Sequence, residues 1–171
     1  MKKFLLTIFL TIIPFKVFAL IEVDITRGNL NPLPIAVSPL SIDNDSKKNF
    51  KKILKKENIG LEISIIVENN LRTSGLFNPL NKDAFLQKPD IANLKPRFED
   101  WNLIKAQALI TGKVSFLDGK LRVEFRLWDV LAGKEMMALA FTTVPSNWRR
   151  VGHIITDKVY ERLTGEKGYF D

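Results

Sequence analysis

Residues 106–144 read AQALITGKVSFLDGKLRVEFRLWDVLAGKEMMALAFTTV, and this stretch decides the fold. It predicts a three-stranded antiparallel meander. Ala108 to Phe116 is rich in β-formers: Leu109, Ile110, Thr111, Val114 and Phe116. Asp118-Gly119 follows, a pair that tolerates the positive φ angles of a tight hairpin. Leu121, Val123, Phe125 and Leu127 then alternate with Arg122, Glu124, Arg126 and Trp128. That period of two makes one face apolar and one face wet. Ala132-Gly133 turns the chain again, and Glu135 to Val144 returns as a third strand. A sheet with one oily face must cover it. Two helices are expected to do so, one before the meander and one after.

Outward from the sheet, the last helix is the plainest. Pro145-Ser146-Asn147 makes an entry, and Trp148, Val151, Ile155, Val159 and Leu163 repeat at helical spacing before Gly165. The earlier helix is less plain. Ile59, Ile63, Ile66, Val67 and Leu71 fit one helical face, yet Leu61, Ile63, Ile65 and Val67 also alternate as a strand would. Length and the closing Gly75 lean towards helix. Pro32 and Pro34 keep their neighbours extended, and Ile35-Ala36-Val37 suits a short buried strand ended by Pro39. Ser41 to Asn49 is polar and reads as a loop. Leu76 to Leu80 is short and extended. Asn81 to Lys95, with its proline and polar residues, reads as a connecting loop, and Pro96 to Leu103 as a short helix with Phe98 and Trp101 on one side.

The first segment stands outside the fold. Lys2 and Lys3 precede an apolar run from Phe4 to Ile13, Pro14 breaks it, and Val17-Phe18-Ala19 suits a signal peptidase. Residues 1–19 therefore read as a secretory signal peptide cut after Ala19, and residues 20–171 as one domain. The run is shorter than the roughly 20 residues a membrane span needs, and Lys16 would interrupt any extension of it. Losing Lys2, Lys3 and Lys16 lowers the formal charge of +7 by three, to +4. The chain of 171 residues is long enough to bury about 70% of its unfolded surface. It has no cysteine, which excludes disulfides, thiolate metal sites and lipid attachment at cysteine.

The inventory for chemistry is thin. His153 is the one histidine, so neither a metal site nor a nucleophile–histidine pair is supported. Glu99 and Asp100 are adjacent and would diverge on a helix. Gly112, Gly119 and Gly133 are single glycines and make no phosphate loop. Trp101, Trp128 and Trp148 are far apart in sequence and suit packing better than base stacking, so no nucleic-acid partner is expected. Lys47, Lys48, Lys51, Lys52, Lys55 and Lys56 recur at helical spacing, with Phe50, Ile53 and Leu54 placed opposite. This stretch reads as a solvated surface helix or loop insertion; its sharper reading is a weak contact with anionic membrane. Catalytic residues, cofactors and metals are all expected to be none.

A binding module is the better class. Leu20-Ile21-Glu22-Val23-Asp24-Ile25-Thr26 sets Ile21, Val23 and Ile25 against Glu22, Asp24 and Thr26. It would stand at the start of the mature chain, with Arg27-Gly28-Asn29 as a turn behind it. A strand at a free chain end is easily lent to another sheet, where main-chain bonds give affinity and alternate side chains give choice.

An ordered set of segments resembles one family. Ile25-Thr26-Arg27-Gly28, then Pro34-Ile35-Ala36-Val37, then Asn70 to Leu80 (NLRTSGLFNPL) resemble the amino-terminal domain of TolB. So do Ala108 to Val114 (ALITGKV), Phe125 to Asp129 (FRLWD), Gly152-His153, and Asp157 to Gly168 (DKVYERLTGEKG). The resemblance implies an α/β domain with a mixed sheet flanked by helices, and makes residues 59–74 a helix. It implies a periplasmic protein of the Tol–Pal system, which links inner and outer membranes and supports constriction at division. It implies docking on the periplasmic domain of TolA through the peptide matching Leu20, Ile21, Glu22, Val23, Asp24, Ile25 and Thr26. The family continues into a β-propeller that binds the lipoprotein Pal. The sequence stops at Asp171, where that propeller would begin, so Pal is a partner only if a propeller is supplied separately. A fragment, a split gene and a freestanding domain are all compatible with this.

Overall fold

The computed structural model describes residues 31–171. The signal peptide of residues 1–19, the strand of Leu20 to Thr26 and the turn at Arg27-Gly28-Asn29 lie outside the described residues.

The meander is present as expected. β4 (Ala108–Leu117), β5 (Lys120–Asp129) and β6 (Lys134–Thr143) pair antiparallel, following β1 (Leu33–Val37), β2 (Ser41–Ile42) and β3 (Phe77–Pro79). The β4–β5 turn puts Asp118 at φ 49° and Gly119 at φ 76°, the two positive angles that a twisted two-residue hairpin demands. The sheet order is β3-β1-β4-β5-β6, and β2 also pairs with β4. β1 runs parallel to β3 and β4, and β2 runs parallel to β4, so the sheet is mixed. Pro34 is tolerated within β1. Its carbonyl still accepts from the Gln107 N–H at 2.9 Å, one position before β4 begins.

Among the described residues five helices accompany the sheet: α1 (Asn44–Leu54), α2 (Ile59–Thr73), α3 (Pro89–Leu94), α4 (Phe98–Leu103) and α5 (Trp148–Thr164). The two long ones, α2 and α5, cover the apolar face. Ile59, Ile63, Val67 and Leu71 of α2 and Trp148, Val151, Ile155, Val159 and Leu163 of α5 are buried on Leu121, Val123, Phe125 and Leu127 of β5 and on the inward residues of β1 and β4. The helical alternative for residues 59–74 prevails because five apolar side chains on one stripe find one sheet face to bury against. Gly75 and Gly165 stand just past α2 and α5 as the expected stops.

A second, smaller buried cluster lies on the opposite face. Trp101 of α4 packs with Ala36, Ala106, Leu109 and Val130, and Phe85 meets Trp101 edge-on at 5.0 Å.

Three expectations need correction. Ser41 to Asn49 is not a loop. Ser41 and Ile42 pair with Lys113 and Val114, and the helix opens at Asn44. Polar composition hid a cap, since Asp43 accepts from the Ser46 N–H. Asn81 to Lys95 is not all loop either. It holds a 3-10 turn (Lys82–Ala84) and α3, whose Pro89 opens the helix instead of breaking it. Finally, Ile53 does not lie with Phe50 and Leu54. The inward stripe of α1 runs Ser46, Phe50, Leu54 at a spacing of four, and Ile53 is turned aside and half exposed.

Candidate functional site

Sequence reasoning offered one peptide and one basic stretch. The peptide, Leu20 to Thr26, lies outside the described residues. The structure does place its root. β1 begins at Leu33 in the interior of the sheet, flanked by β3 and β4. In sequence, residues 27–32 separate the peptide from β1.

The basic stretch is a helix with a defined seat. Asp43 caps α1 by accepting from the Ser46 N–H at 2.8 Å and from the Ser46 hydroxyl at 2.9 Å. The Ser46 Oγ accepts in turn from the Phe116 N–H at 2.8 Å, which ties the helix to β4. Phe50 is buried and meets Phe116 edge-on at 5.5 Å. Outside this seat, Lys48, Lys51, Lys52 and Lys55 are exposed. Lys48 pairs with Asp45, Lys51 with Glu57 and Lys56 with Glu62. Lys47, Lys52 and Lys55 have no ion pair among the described residues. Lys56 Nζ lies 5.3 Å from the Trp148 ring and the Arg149 guanidinium 4.3 Å from it, so the basic surface continues onto the start of α5.

Between the N-terminus of α1, β2 and α3 lies an open groove of about 630 Å³. Asn44, Lys47, Asn58, Asn93 and Lys113 line it beside Asp43 and Asp90. Its charges balance, and among the described residues nothing singles out a ligand.

The remaining candidates have structural duties. Asn70 Nδ2 lies 2.9 Å from His153 Nδ1 and donates to Thr156 Oγ1 at 3.2 Å, so His153 helps to join α2 to α5. Asp100 pairs with Arg97 while Glu99 faces solvent, and the two make no acid–base couple. Trp101 is buried and Trp128 donates to Thr111 Oγ1 at 2.9 Å. Gly112 is a close-packing glycine: a Cβ there would sit 2.3 Å from the Glu124 carbonyl oxygen. No group of three or more His, Cys, Asp or Glu side chains among the described residues could hold a metal ion. No helix among them is long and apolar enough to cross a membrane.

One organising residue escaped sequence reasoning. Gln87 is buried; its Oε1 accepts from Trp101 Nε1 and from the Arg97 N–H, each at 3.0 Å, and its Nε2 donates to the Lys95 carbonyl at 3.1 Å. The one available signal was that a buried indole N–H needs an acceptor; nothing in the sequence named which.

A mixed six-stranded sheet under two long helices, among the described residues, defines an α/β domain. The sequence matches the family described as the TolB amino-terminal domain over residues 21–136. The Tol-Pal system protein TolB of Pelagibacter ubique (strain HTCC1062) is 85% identical over 169 residues, covering 99% of this chain and 38% of that protein. The crystal structure of TolB from Acinetobacter baumannii superposes with a TM-score of 0.62 at 21% identity, covering 87% of this chain and 32% of that one. At that identity the likeness shows the fold alone. The chain belongs to the TolB amino-terminal domain family, and it spans well under half the length of these relatives.

The Asp43 cap gives a test of how α1 is held. The Ser46 N–H holds the Asp43 carboxyl below its ordinary value of 3.8, against the smaller opposing effect of burial. A carboxylate lowered by folding adds stability above its unfolded value and loses it as pH falls through the folded one. Asp43→Ala is expected to cost about 1 kcal/mol at neutral pH. Urea unfolding should show that gap shrinking below about pH 4; a gap unchanged by acid would mean that the cap does not hold α1 through its charge.

Proposed function

We propose that this chain is a non-enzymatic module of the Tol–Pal envelope system. Residues 1–19 export it to the periplasm and are removed, and residues 20–171 are its domain. It docks on the periplasmic domain of TolA by lending Leu20 to Thr26 as a strand, and so supports outer-membrane integrity and constriction at division. The observation that carries this reading is the family match, which begins at Ile21 and so takes in the peptide itself. The alternation of Ile21, Val23 and Ile25 with Glu22, Asp24 and Thr26 supports it, because an added strand needs one row for pockets and one for water. Contact with Pal would need a propeller beyond the domain and is no part of the proposed module.

Calorimetric titration of the TolA domain with the mature chain, with and without residues 20–26, tests the docking. Binding should be lost with the peptide, and Ile21→Asp, Val23→Asp or Ile25→Asp should each weaken it at least about tenfold. Equal affinity with and without the peptide would end this reading.

A second reading rests on the lysines of α1 and of the two residues after it, of which Lys48, Lys51, Lys52 and Lys55 are exposed and Lys47 and Lys56 partly so. Lys47, Lys48, Lys51, Lys52, Lys55 and Lys56, with half-exposed Ile53 among them, would touch an anionic membrane. Each cation near such a surface contributes about 1 kcal/mol, so a face on which half of the six are already paired binds weakly. Co-sedimentation with phosphatidylglycerol vesicles should be measurable at low salt and vanish at high salt. Binding that ignores salt, or that survives Lys52→Glu with Lys55→Glu, would rule the lysine face out.

A further inference from the structure

Positive charge is not spread evenly along α1. At its start, Lys47 lines the groove beside Asp43 and Asp90, and Lys48 pairs with Asp45. Further on, Lys51 pairs with Glu57. Lys52 and Lys55 are exposed, and neither has an ion pair among the described residues. Lys55 ends the helix in the left-handed conformation, at φ 58°. The next residue, Lys56, sets its ammonium over the Trp148 ring while pairing with Glu62. The Arg149 guanidinium lies over the same ring. Trp148 is buried, so the ring is a fixed post for both. α1 also packs beside the Pro145–Asn147 turn that leads into α5. The cations without a full counter-charge therefore gather at one place, where the end of α1 meets the start of α5.

The fold itself has little use for a cation at Arg149. The lysines in the last turn of α1 suit the dipole of their helix. Arg149 stands in the first turn of α5, where the dipole disfavours positive charge. Its neighbour Arg150 is offset by a two-pronged pair with Asp171. Arg149 is exposed and has no ion pair among the described residues. Lys56 beside it adds repulsion, which an anion from outside would relieve. Apolar side chains stand among these charges. Ile53, next to Lys52, is 50% exposed, and Val144, at the mouth of the turn, is 53% exposed. A lipid surface gains from such side chains, whereas a soluble anion does not.

We propose that this junction is the face that the domain presents to an anionic bilayer: Lys52, Lys55, Lys56 and Arg149 meet the phosphates, and Ile53 and Val144 enter between the headgroups. This rests on the second reading above and deepens it. The contact crosses from α1 to α5 and leaves out Lys47, Lys48 and Lys51.

Co-sedimentation of the full chain, as the cell processes it, with phosphatidylglycerol–phosphatidylcholine vesicles at low salt tests the assignment. Arg149→Glu and Lys48→Glu change the net charge equally, at two exposed sites. Arg149→Glu should weaken binding at least about tenfold, and Lys48→Glu less than about threefold. An acid suits the first turn of a helix, so Arg149→Glu should melt no lower than the native chain, and Arg149→Lys should bind as the native chain does. Ile53→Ser should weaken binding to vesicles and leave binding to soluble polyphosphate unchanged. Equal losses from Arg149→Glu and Lys48→Glu, or no loss from Arg149→Glu, would overturn this inference and leave the second reading standing. Vesicle binding indifferent to Ile53→Ser would overturn it in favour of a soluble polyanion. A native chain that ignores the vesicles at low salt would end both.

Discussion

The pairing of β4 with its neighbours is the constraint on which the rest of this domain depends. β4 takes β1 and β2 in parallel on one side and β5 antiparallel on the other. It therefore joins the crossover half of the sheet to the meander half. The join has no slack at its centre: Gly112 lies so close to the Glu124 carbonyl that no side chain fits between them, and a Cβ there would also meet Leu40 at 2.9 Å. Residues on the helix side of β4 and β5 then form one apolar surface, and α2 and α5 must cross it. Ser46 reaches β4 from the first turn of α1, so the basic helix is positioned by the same strand.

What was legible in the sequence came from periodicity. The alternation of Leu121 to Trp128 and the spacing of Trp148 to Leu163 are long patterns, and each has a single burial solution. Short elements were less legible because a few residues carry little periodicity. β2 is two residues long, and only its partner Lys113–Val114 makes it a strand. α3 has six residues, and its proline served equally well as a loop signal. In α1 the sequence showed the basic face but set the apolar stripe too wide, since one partner strand and one aromatic ring leave room for Phe50 and not for Ile53. Of the candidate site, the lysine helix was legible. Its link to Arg149 through the Trp148 ring was not, because that contact joins residues far apart in sequence.

Among the described residues, the candidates for chemistry have structural duties. His153, Trp101, Trp128 and Asp100 are absorbed into a helix contact, two indole hydrogen bonds and a surface ion pair. Family membership and the alternating leading peptide are the two observations on which the proposed docking rests.

The dominance of β4 can be measured directly by native-state hydrogen exchange. If the β4–β5 pairing is the last structure to open, the amides of Ile110–Val114 and Val123–Leu127 should exchange only by global unfolding, while those of α1 and α3 exchange orders of magnitude faster through local opening. Should the amides of α1 match that protection, or should the β4–β5 ladder open on its own, the central role of β4 would be contradicted.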